Sequence, residues 1–136
     1  MKRMIYTSGA TKNVTSEASY RWRIYAKDYF KKRLYNVDVF IPEEHFSYED
    51  PPKTEKECMS LFLYKLIISD FVLVNLDDSD KSVCTGIEIG TALQLGKPII
   101  GFGAKNVYPW IKEACNVTFS TIDEALEHIR LHYVEV

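Results

Sequence analysis

The sequence predicts one α/β domain, spanning residues 1–136, in which helices cover both faces of a parallel β-sheet. Short apolar runs alternate with longer amphipathic segments from end to end, which is typical of strands followed by crossover helices. The run at residues 70–76 is nearly all apolar, as in a central strand buried on both faces. A length of 136 residues provides for one hydrophobic core.

The first third of the chain predicts two strands separated by a helix. Residues 4–7 form the first strand, and the turn-forming residues 8–10 end it. From about residue 15 to residue 35, apolar and aromatic side chains recur at helical spacing and predict a core-facing stripe. They are Ala18, Trp22, Tyr25, Tyr29, Phe30 and Leu34. The second strand, residues 37–41, stops at Pro42.

Capping boxes predict where three later helices begin, since a Thr can cap a helix whose Glu stands three residues on. Three pairs have that spacing: Thr54 with Glu57, Thr85 with Glu88, and Thr121 with Glu124. The helix that begins at Thr54 extends to Ser69, and the helix that begins at Thr85 ends near Gly96, a plausible C′ glycine. Residues 98–102 and 117–119 are the fourth and fifth strands, and the Thr121 helix closes the chain.

Three loops are expected to meet at one edge of this sheet, because parallel sheets bind ligands beyond the carboxyl ends of their strands. They are residues 8–14, 77–85 and 101–106. The long loop at residues 42–53 carries aromatic side chains and suits a lid, although a plain surface loop is favoured.

Composition excludes several classes of partner. The net charge is −2 and the 17 Lys and Arg are scattered, which argues against a nucleic acid polymer. No run reaches the length of a membrane span and the start lacks a signal-peptide core, so we expect no membrane partner and a cytoplasmic location. The three cysteines are far apart and favour small core side chains over a zinc or redox site.

Glu88 is the residue most suggestive of chemistry. Gly86 and Gly90 flank it at the start of the helix that follows the central strand, and glycine there lets a ligand or a neighbouring backbone approach. The positive end of a helix favours an ionised carboxylate, as a nucleophile requires. By spacing alone, however, a capping role with Thr85 is favoured over catalysis.

A family resemblance changes that balance. The segment Gly86-Ile87-Glu88-Ile89-Gly90-Thr91-Ala92, followed by Gly96-Lys97-Pro98-Ile99-Ile100, resembles the signature of the nucleoside 2-deoxyribosyltransferase superfamily. Residues 6–10 resemble the opening Tyr-x-x-Gly strand and loop of that superfamily, and residues 69–76 resemble its third strand. Trp22-Arg23 is similar to a Trp-Arg pair on the first helix of some branches. The resemblance covers residues 4–102 in order.

The resemblance implies a flavodoxin-like domain with five parallel strands in the order 2-1-3-4-5 and a homodimer or larger homo-oligomer. It also implies cleavage, without a cofactor or metal, of the N-glycosidic bond of a nucleoside or nucleoside 5′-monophosphate. Glu88 would attack C1′ of the sugar, and water (hydrolysis) or a second base (transfer) would then release the sugar with net retention. A non-catalytic nucleotide-binding or sensing module on the same scaffold stays open.

Two positions depart from the transferase pattern. Ser82 stands where transferases commonly carry an aspartate that contacts the sugar 5′-hydroxyl. A serine here resembles the branch that hydrolyses 5′-monophosphates, and a hydroxyl can donate to a phosphate that an aspartate would repel. Phe62 stands where the family often has a supporting aspartate, which leaves weaker or absent catalysis open.

The predicted substrate-binding residues come from the loops at this edge. They are Tyr6, Ser8, Gly9, Ala10, Lys12, Asp77, Ser82 and Gly86. For Tyr6, a core and a pocket role are equally compatible with its strand-end position. Lys12 and Arg23 could each contact a phosphate, although a lone solvated charge is the commoner role.

Two further clusters have a structural alternative that is favoured. Asp77, Asp78 and Asp80 could bind a metal or a ribose, but a solvated acidic loop is more typical. His128 and His132 share a helix face without a third ligand, so placement near a helix C-terminus explains them better than a metal.

Overall fold

The computed structural model describes residues 2–11, 16–44 and 54–135. Its strands and helices, in chain order, are β1 (Arg3–Ser8), α1 (Ser16–Lys32), β2 (Val37–Phe40), α2 (Glu55–Ile68), β3 (Phe71–Asn75), α3 (Val83–Gln94), β4 (Ile99–Phe102), α4 (Pro109–Ala114), β5 (Val117–Phe119) and α5 (Ile122–Ile129). Short 3-10 turns at Pro42–Glu44 and Ser79–Lys81 follow β2 and β3, and a π-helical turn, Arg130–Val134, continues α5.

The five strands form one parallel sheet in the order β2-β1-β3-β4-β5. This confirms the predicted three-layer, flavodoxin-like α/β fold. The central strand β3 pairs with β1 on one side and β4 on the other, and Phe71–Val74 are all buried, as its apolar sequence predicts. The strand order reverses at β1 and β3, so a crevice is expected beyond their carboxyl ends.

Alternation along β1 sends neighbouring side chains to opposite layers of the fold. Ile5 packs in the core beneath α1 and α5, whereas Tyr6 packs in the core beneath α2 and α3. In the same way, Thr7 faces α1 and Ser8 faces α3, as their hydrogen bonds show. The C-terminal end of β1 therefore presents the hydroxyl of Thr7 to the layer of α1 and the hydroxyl of Ser8 to the layer of α3.

Two of the three predicted capping boxes are confirmed as N-caps. The hydroxyl of Thr54 accepts a hydrogen bond from the backbone N–H of Glu57 at 3.0 Å, and that of Thr121 accepts one from Glu124 at 3.3 Å. Gly96 has a φ of +69° and ends α3, as predicted for a C′ glycine.

The third capping box, Thr85 with Glu88, is wrong. Ser82 caps α3 instead, and its Oγ accepts a hydrogen bond from the backbone N–H of Thr85 at 3.3 Å. The helix thus begins three residues earlier than predicted, at Val83. Thr85 lies in its first turn and Glu88 in its second, which is too far along to cap.

The predicted stripe of α1 also differs at three positions, of which the first, Ala18, is exposed. The helix ends at Lys32, and Leu34 has a φ of +60° and is 92% exposed, because the chain has already left the helix. Tyr25 is exposed as well, and its hydroxyl donates to Asp123 rather than packing in the core. Among the described residues, the helices are too short or too polar to span a bilayer.

Candidate active site

Glu88 projects from the second turn of α3 onto the end of β1. The hydroxyl of Ser8 donates to Glu88 Oε1 at 3.0 Å, and the hydroxyl of Tyr6 donates to Oε2. Each carboxylate oxygen is therefore held by a side chain more than 75 residues away in sequence. The role of Glu88 is to make this tertiary contact rather than to cap its own helix.

The pKa of the Glu88 carboxyl is raised above its usual range, because burial penalises the charged form. The bonds from Tyr6 and Ser8 and the positive charge of Arg23 oppose this rise. Burial and the negative charge of Glu88 also raise the pKa of the Tyr6 hydroxyl well above its usual value. Tyr6 thus stays protonated and acts as a hydrogen-bond donor at any physiological pH.

Arg23 has neither of the roles predicted for it. Its side chain is 1% exposed in the core, where Nε donates to Thr7 Oγ1 at 3.0 Å and Nη2 donates to the carbonyl of Gly9 at 3.2 Å. Sequence analysis missed this because a single Arg on a helix is usually solvated. The signal that could have indicated it is the Trp22-Arg23 pair itself.

Gly9 and Ala10 lie in the core where β1 ends. A Cβ at Gly9 would stand 2.9 Å from a ring carbon of Trp22 and 3.2 Å from Cβ of Asn75, so only glycine fits. Ala10 is 7% exposed. Their contact with a substrate stays a prediction, whereas their packing accounts for both residue types. Lys12 lies outside the described residues.

Asp77 joins the loops that follow β3 and β4. Its Oδ1 accepts a hydrogen bond from the backbone N–H of Ala104 at 2.9 Å, and Gly103 beside it has a φ of +107°. The neighbouring Asp78 pairs with Lys81 at 3.9 Å. Among residues 2–11, 16–44 and 54–135, no three or more acidic, His or Cys side chains are grouped to hold a metal ion.

A cavity of about 280 Å³ lies beyond β4 and β5, beside the Asp77 contact. Its lining includes Leu76, Phe119 and the exposed Lys105 and Lys112, and it does not include Glu88. This open cavity is thus separate from the partly buried carboxylate of Glu88.

Solved structures of similar architecture place this geometry among known folds. No family model and no curated protein matches the sequence. A conserved protein from Enterococcus faecalis V583 has a TM-score of 0.81 and 18% identity, with 96% of this chain and 99% of that chain covered. A 2-deoxyribosyltransferase from Bacillus psychrosaccharolyticus has a TM-score of 0.67 and 18% identity, with coverage of 89% and 88%.

The third similar structure is the CMP N-glycosidase BcmB from Clostridium botulinum, with a TM-score of 0.58, 19% identity and coverage of 96% and 100%. This enzyme and the 2-deoxyribosyltransferase are members of the nucleoside 2-deoxyribosyltransferase superfamily. The chain has the fold of that superfamily. At this identity the likeness establishes the fold, and the chemistry must be argued from the residues.

Phe62 belongs to an aromatic stack that reaches Tyr6 through Phe40. Its ring meets that of Phe40 edge to face at 5.9 Å, and Phe40 stacks on Tyr6 at 5.3 Å. Phe62 therefore supports the tyrosine that holds the carboxylate, through packing instead of through charge.

Ser82 has its hydroxyl at the N-terminus of α3. Its Oγ accepts from the backbone N–H and, at 2.8 Å, from the hydroxyl of Thr85. Since both bonds use its lone pairs, the Ser82 hydrogen is left to donate. Apart from the chain neighbours and the backbone of α3 itself, no described atom lies within 4 Å of where a Cβ would stand at Gly86 or Gly90, so close approach of another backbone does not explain these glycines.

Proposed function

We propose that this protein cleaves the N-glycosidic bond of a (2′-deoxy)nucleoside 5′-monophosphate or nucleoside, with Glu88 as the nucleophile. The observation that carries the proposal is the double hydrogen bond from Tyr6 and Ser8, which fixes both oxygens of a partly buried carboxylate at the point where the strand order reverses. A carboxylate held in this way has one orientation for attack.

In the proposed reaction, a Glu88 oxygen forms a bond to C1′ as the C1′–N bond breaks, and the bonding electron pair leaves with the base. Water then attacks C1′ from the opposite side, the glycosyl ester bond to Glu88 breaks and the carboxylate is regenerated. The proton that the water gives up balances the one taken up by the departing base, so the products are the free sugar and the neutral base. Two inversions give net retention. The hydroxyls of Tyr6 and Ser8 hold the carboxylate before attack and after release.

The preference for a 5′-monophosphate rests on Ser82. Its donor hydrogen stands at the N-terminus of a twelve-residue helix, where anions are favoured. A second base in place of water would make the protein a nucleoside deoxyribosyltransferase, the activity named for the Bacillus psychrosaccharolyticus enzyme of the same fold. Phe62 supports a third candidate, a non-catalytic nucleotide-binding module, because it replaces a charged group with packing.

We also propose that the protein forms a homodimer or larger oligomer. Large apolar side chains of the site helix and its neighbour are exposed: Val83 is 78% exposed, Ile87 44% and Tyr64 56%. Light scattering at working concentration tests this, and a monomer that is fully active would contradict it. Replacement of both Val83 and Ile87 with Lys is expected to lower the mass if α3 forms the interface.

A substrate panel tests the catalytic proposal. Purified protein is incubated with nucleosides and their 5′-monophosphates, with and without a second free base, and the products are separated by chromatography. Free base without an acceptor indicates a hydrolase, and an exchanged base indicates a transferase. If ligands are bound but unchanged, the binding module is supported and the catalytic proposal is wrong.

A further inference from the structure

Arg23 is the largest fully buried side chain of the described residues. A guanidinium stays charged in proteins, and taking that charge out of water is expensive unless its surroundings compensate. Well-packed apolar residues are often at least as stabilising at such a position, so a buried charge is weak evidence for a stability role. The contacts of Arg23 indicate what its charge does instead.

The guanidinium donates hydrogen bonds to β1 and the residue that follows it, on the side of the strand opposite Glu88. Two of its bonds go to Thr7 and Gly9, the neighbours of Ser8, while Tyr6 and Ser8 point the other way and hold the carboxylate. Thr7 in turn donates to the carbonyl of Phe40 at 2.6 Å. Arg23 thereby fixes the backbone from which both donors to Glu88 project.

The same guanidinium interacts with two carboxylates, by contact with Glu43 and by charge alone with Glu88. Glu43, from the 3-10 turn after β2, accepts from Nη1 at 3.4 Å and from the Ser19 hydroxyl at 2.7 Å. The second Glu43 oxygen is buried and has no hydrogen-bond partner within the described residues. Arg23 also interacts electrostatically with Glu88 and Tyr6. One buried positive charge is thus shared by Glu43 and Glu88.

We propose that Arg23 is a positioning residue for Glu88: its hydrogen bonds to Thr7 and Gly9 fix the end of β1 from which Tyr6 and Ser8 hold the carboxylate, and its positive charge is buried beside that strand. This rests on the proposed function only for the use made of the ionised carboxylate. The titratable groups around Glu88 are Tyr6 from β1 and Arg23 from α1, with Glu43 acting through Arg23 and Cys58 of α2 beside Tyr6.

The test measures the titration of Glu88 directly. Side-chain carboxyl carbons of ¹³C-glutamate are followed by NMR as pH is varied, and the Glu88 signal is the one missing from Glu88→Gln. In Arg23→Met we expect the Glu88 pKa to rise by about one unit over the unaltered protein, because the nearby positive charge is lost. Arg23→Lys keeps the charge and should shift it by less than half as much.

Arg21→Met is the matched control, since Arg21 lies on the same helix, is exposed and pairs with Glu17. It should leave the Glu88 pKa unchanged. A folded Arg23→Met with an unchanged Glu88 pKa would overturn the proposal and leave Arg23 a purely structural residue.

A second variant decides the matter if Arg23→Met does not fold. Glu43→Gln removes the carboxylate that shares the guanidinium, so the Glu88 pKa should fall, and no change would overturn the proposal. In the substrate assay, Arg23→Met should move the acid limb of kcat/KM to higher pH, whereas Arg21→Met should not. Absence of glycosidase activity would contradict the proposed function, whereas the NMR titration tests the effect of Arg23 on the Glu88 pKa in either case.

Discussion

Two groups of Tyr, Glu and Arg side chains in this molecule use the same chemistry in different surroundings. At the end of β1, Tyr6 donates to Glu88 and Arg23 supplies the charge within the core. At the end of α5, Tyr29 donates to Glu127 at 2.5 Å and Arg130 Nε donates to the same carboxylate oxygen at 3.1 Å.

The pKa shifts of the two glutamates are opposite. Bonds from Arg130 and Tyr29 lower the pKa of Glu127 to about 2, because this carboxylate remains near water and its charged form is simply stabilised. For Glu88, burial outweighs the same kinds of bond and raises the pKa. Bonds from the same types of side chain thus accompany a lowered carboxyl pKa at the surface and, where burial outweighs them, a raised one at the end of β1.

The largest expected difference between the two groups is in activity. Glu88→Gln should reduce turnover by at least about a thousandfold, since an amide cannot form the glycosyl ester. Glu127→Gln, the matched change at the surface group, should leave turnover within about twofold. Chromatographic assay of both variants on the best substrate measures this, and similar rates for the two would break the comparison.

A smaller effect is expected at the helix caps. Ser82→Asp preserves a good N-cap but places a negative charge where a 5′-phosphate would lie, so kcat/KM for monophosphates should fall by roughly tenfold to a hundredfold more than for nucleosides. Thr121→Asp makes the same change at the N-cap of α5 and should alter neither. Equal losses of kcat/KM on both substrate classes would show that Ser82 does not contact a 5′-phosphate and would favour the transferase.

Stability should move in the opposite direction to activity at the buried group. A carboxyl whose folded pKa is raised binds its proton more tightly in the folded state, so its ionisation destabilises the fold above that pKa and costs nothing below the unfolded pKa. Glu88→Gln should therefore raise the Tm at pH 7 by about 2–5 °C, and the gain should vanish below about pH 4. A lower Tm at pH 7 would show that the ionised carboxylate stabilises the fold.

The smallest effect is expected at the surface group, with the sign reversed. Because the folded pKa of Glu127 is depressed to about 2, its contribution to stability is present above the unfolded pKa and is lost as the pH falls towards about 2. Glu127→Gln should lower the Tm slightly at pH 7 and not at all near pH 2. Solvent exposure keeps this change small. Thermal unfolding across pH measures both glutamate variants in one series.

Local patterns in the sequence predict most of the fold, because hydrophobic alternation and caps act over a few residues. Thr54 and Thr121 cap their helices as the spacing indicates. At α3 the spacing predicts Thr85 as the cap because Glu88 completes a box with it, whereas in the structure Ser82 caps the helix. Glu88 instead accepts a hydrogen bond from Tyr6 of β1, and no local sequence pattern encodes that contact.

The candidate site is less predictable for the same reason. A family resemblance indicates Glu88, but its partners Tyr6 and Ser8 lie 82 and 80 residues earlier in the chain, beyond the reach of any local pattern. Arg23 has acceptors on β1, on its own helix and on the turn after β2, so its burial depends on the completed fold. From its side-chain type alone, Arg23 is predicted to be solvated.

The position of Trp22 makes the molecule its own optical probe. Its ring packs so closely on Gly9 that a Cβ there would stand 2.9 Å from it. The ring also lies 4.6 Å from the Arg23 guanidinium and meets the ring of Phe102 edge to face at 5.5 Å. The second tryptophan, Trp110, is 80% exposed, so an aqueous quencher such as iodide should silence it selectively. The remaining emission then reports on the end of β1, and a nucleotide that reaches Glu88 should be detectable by fluorescence without any label.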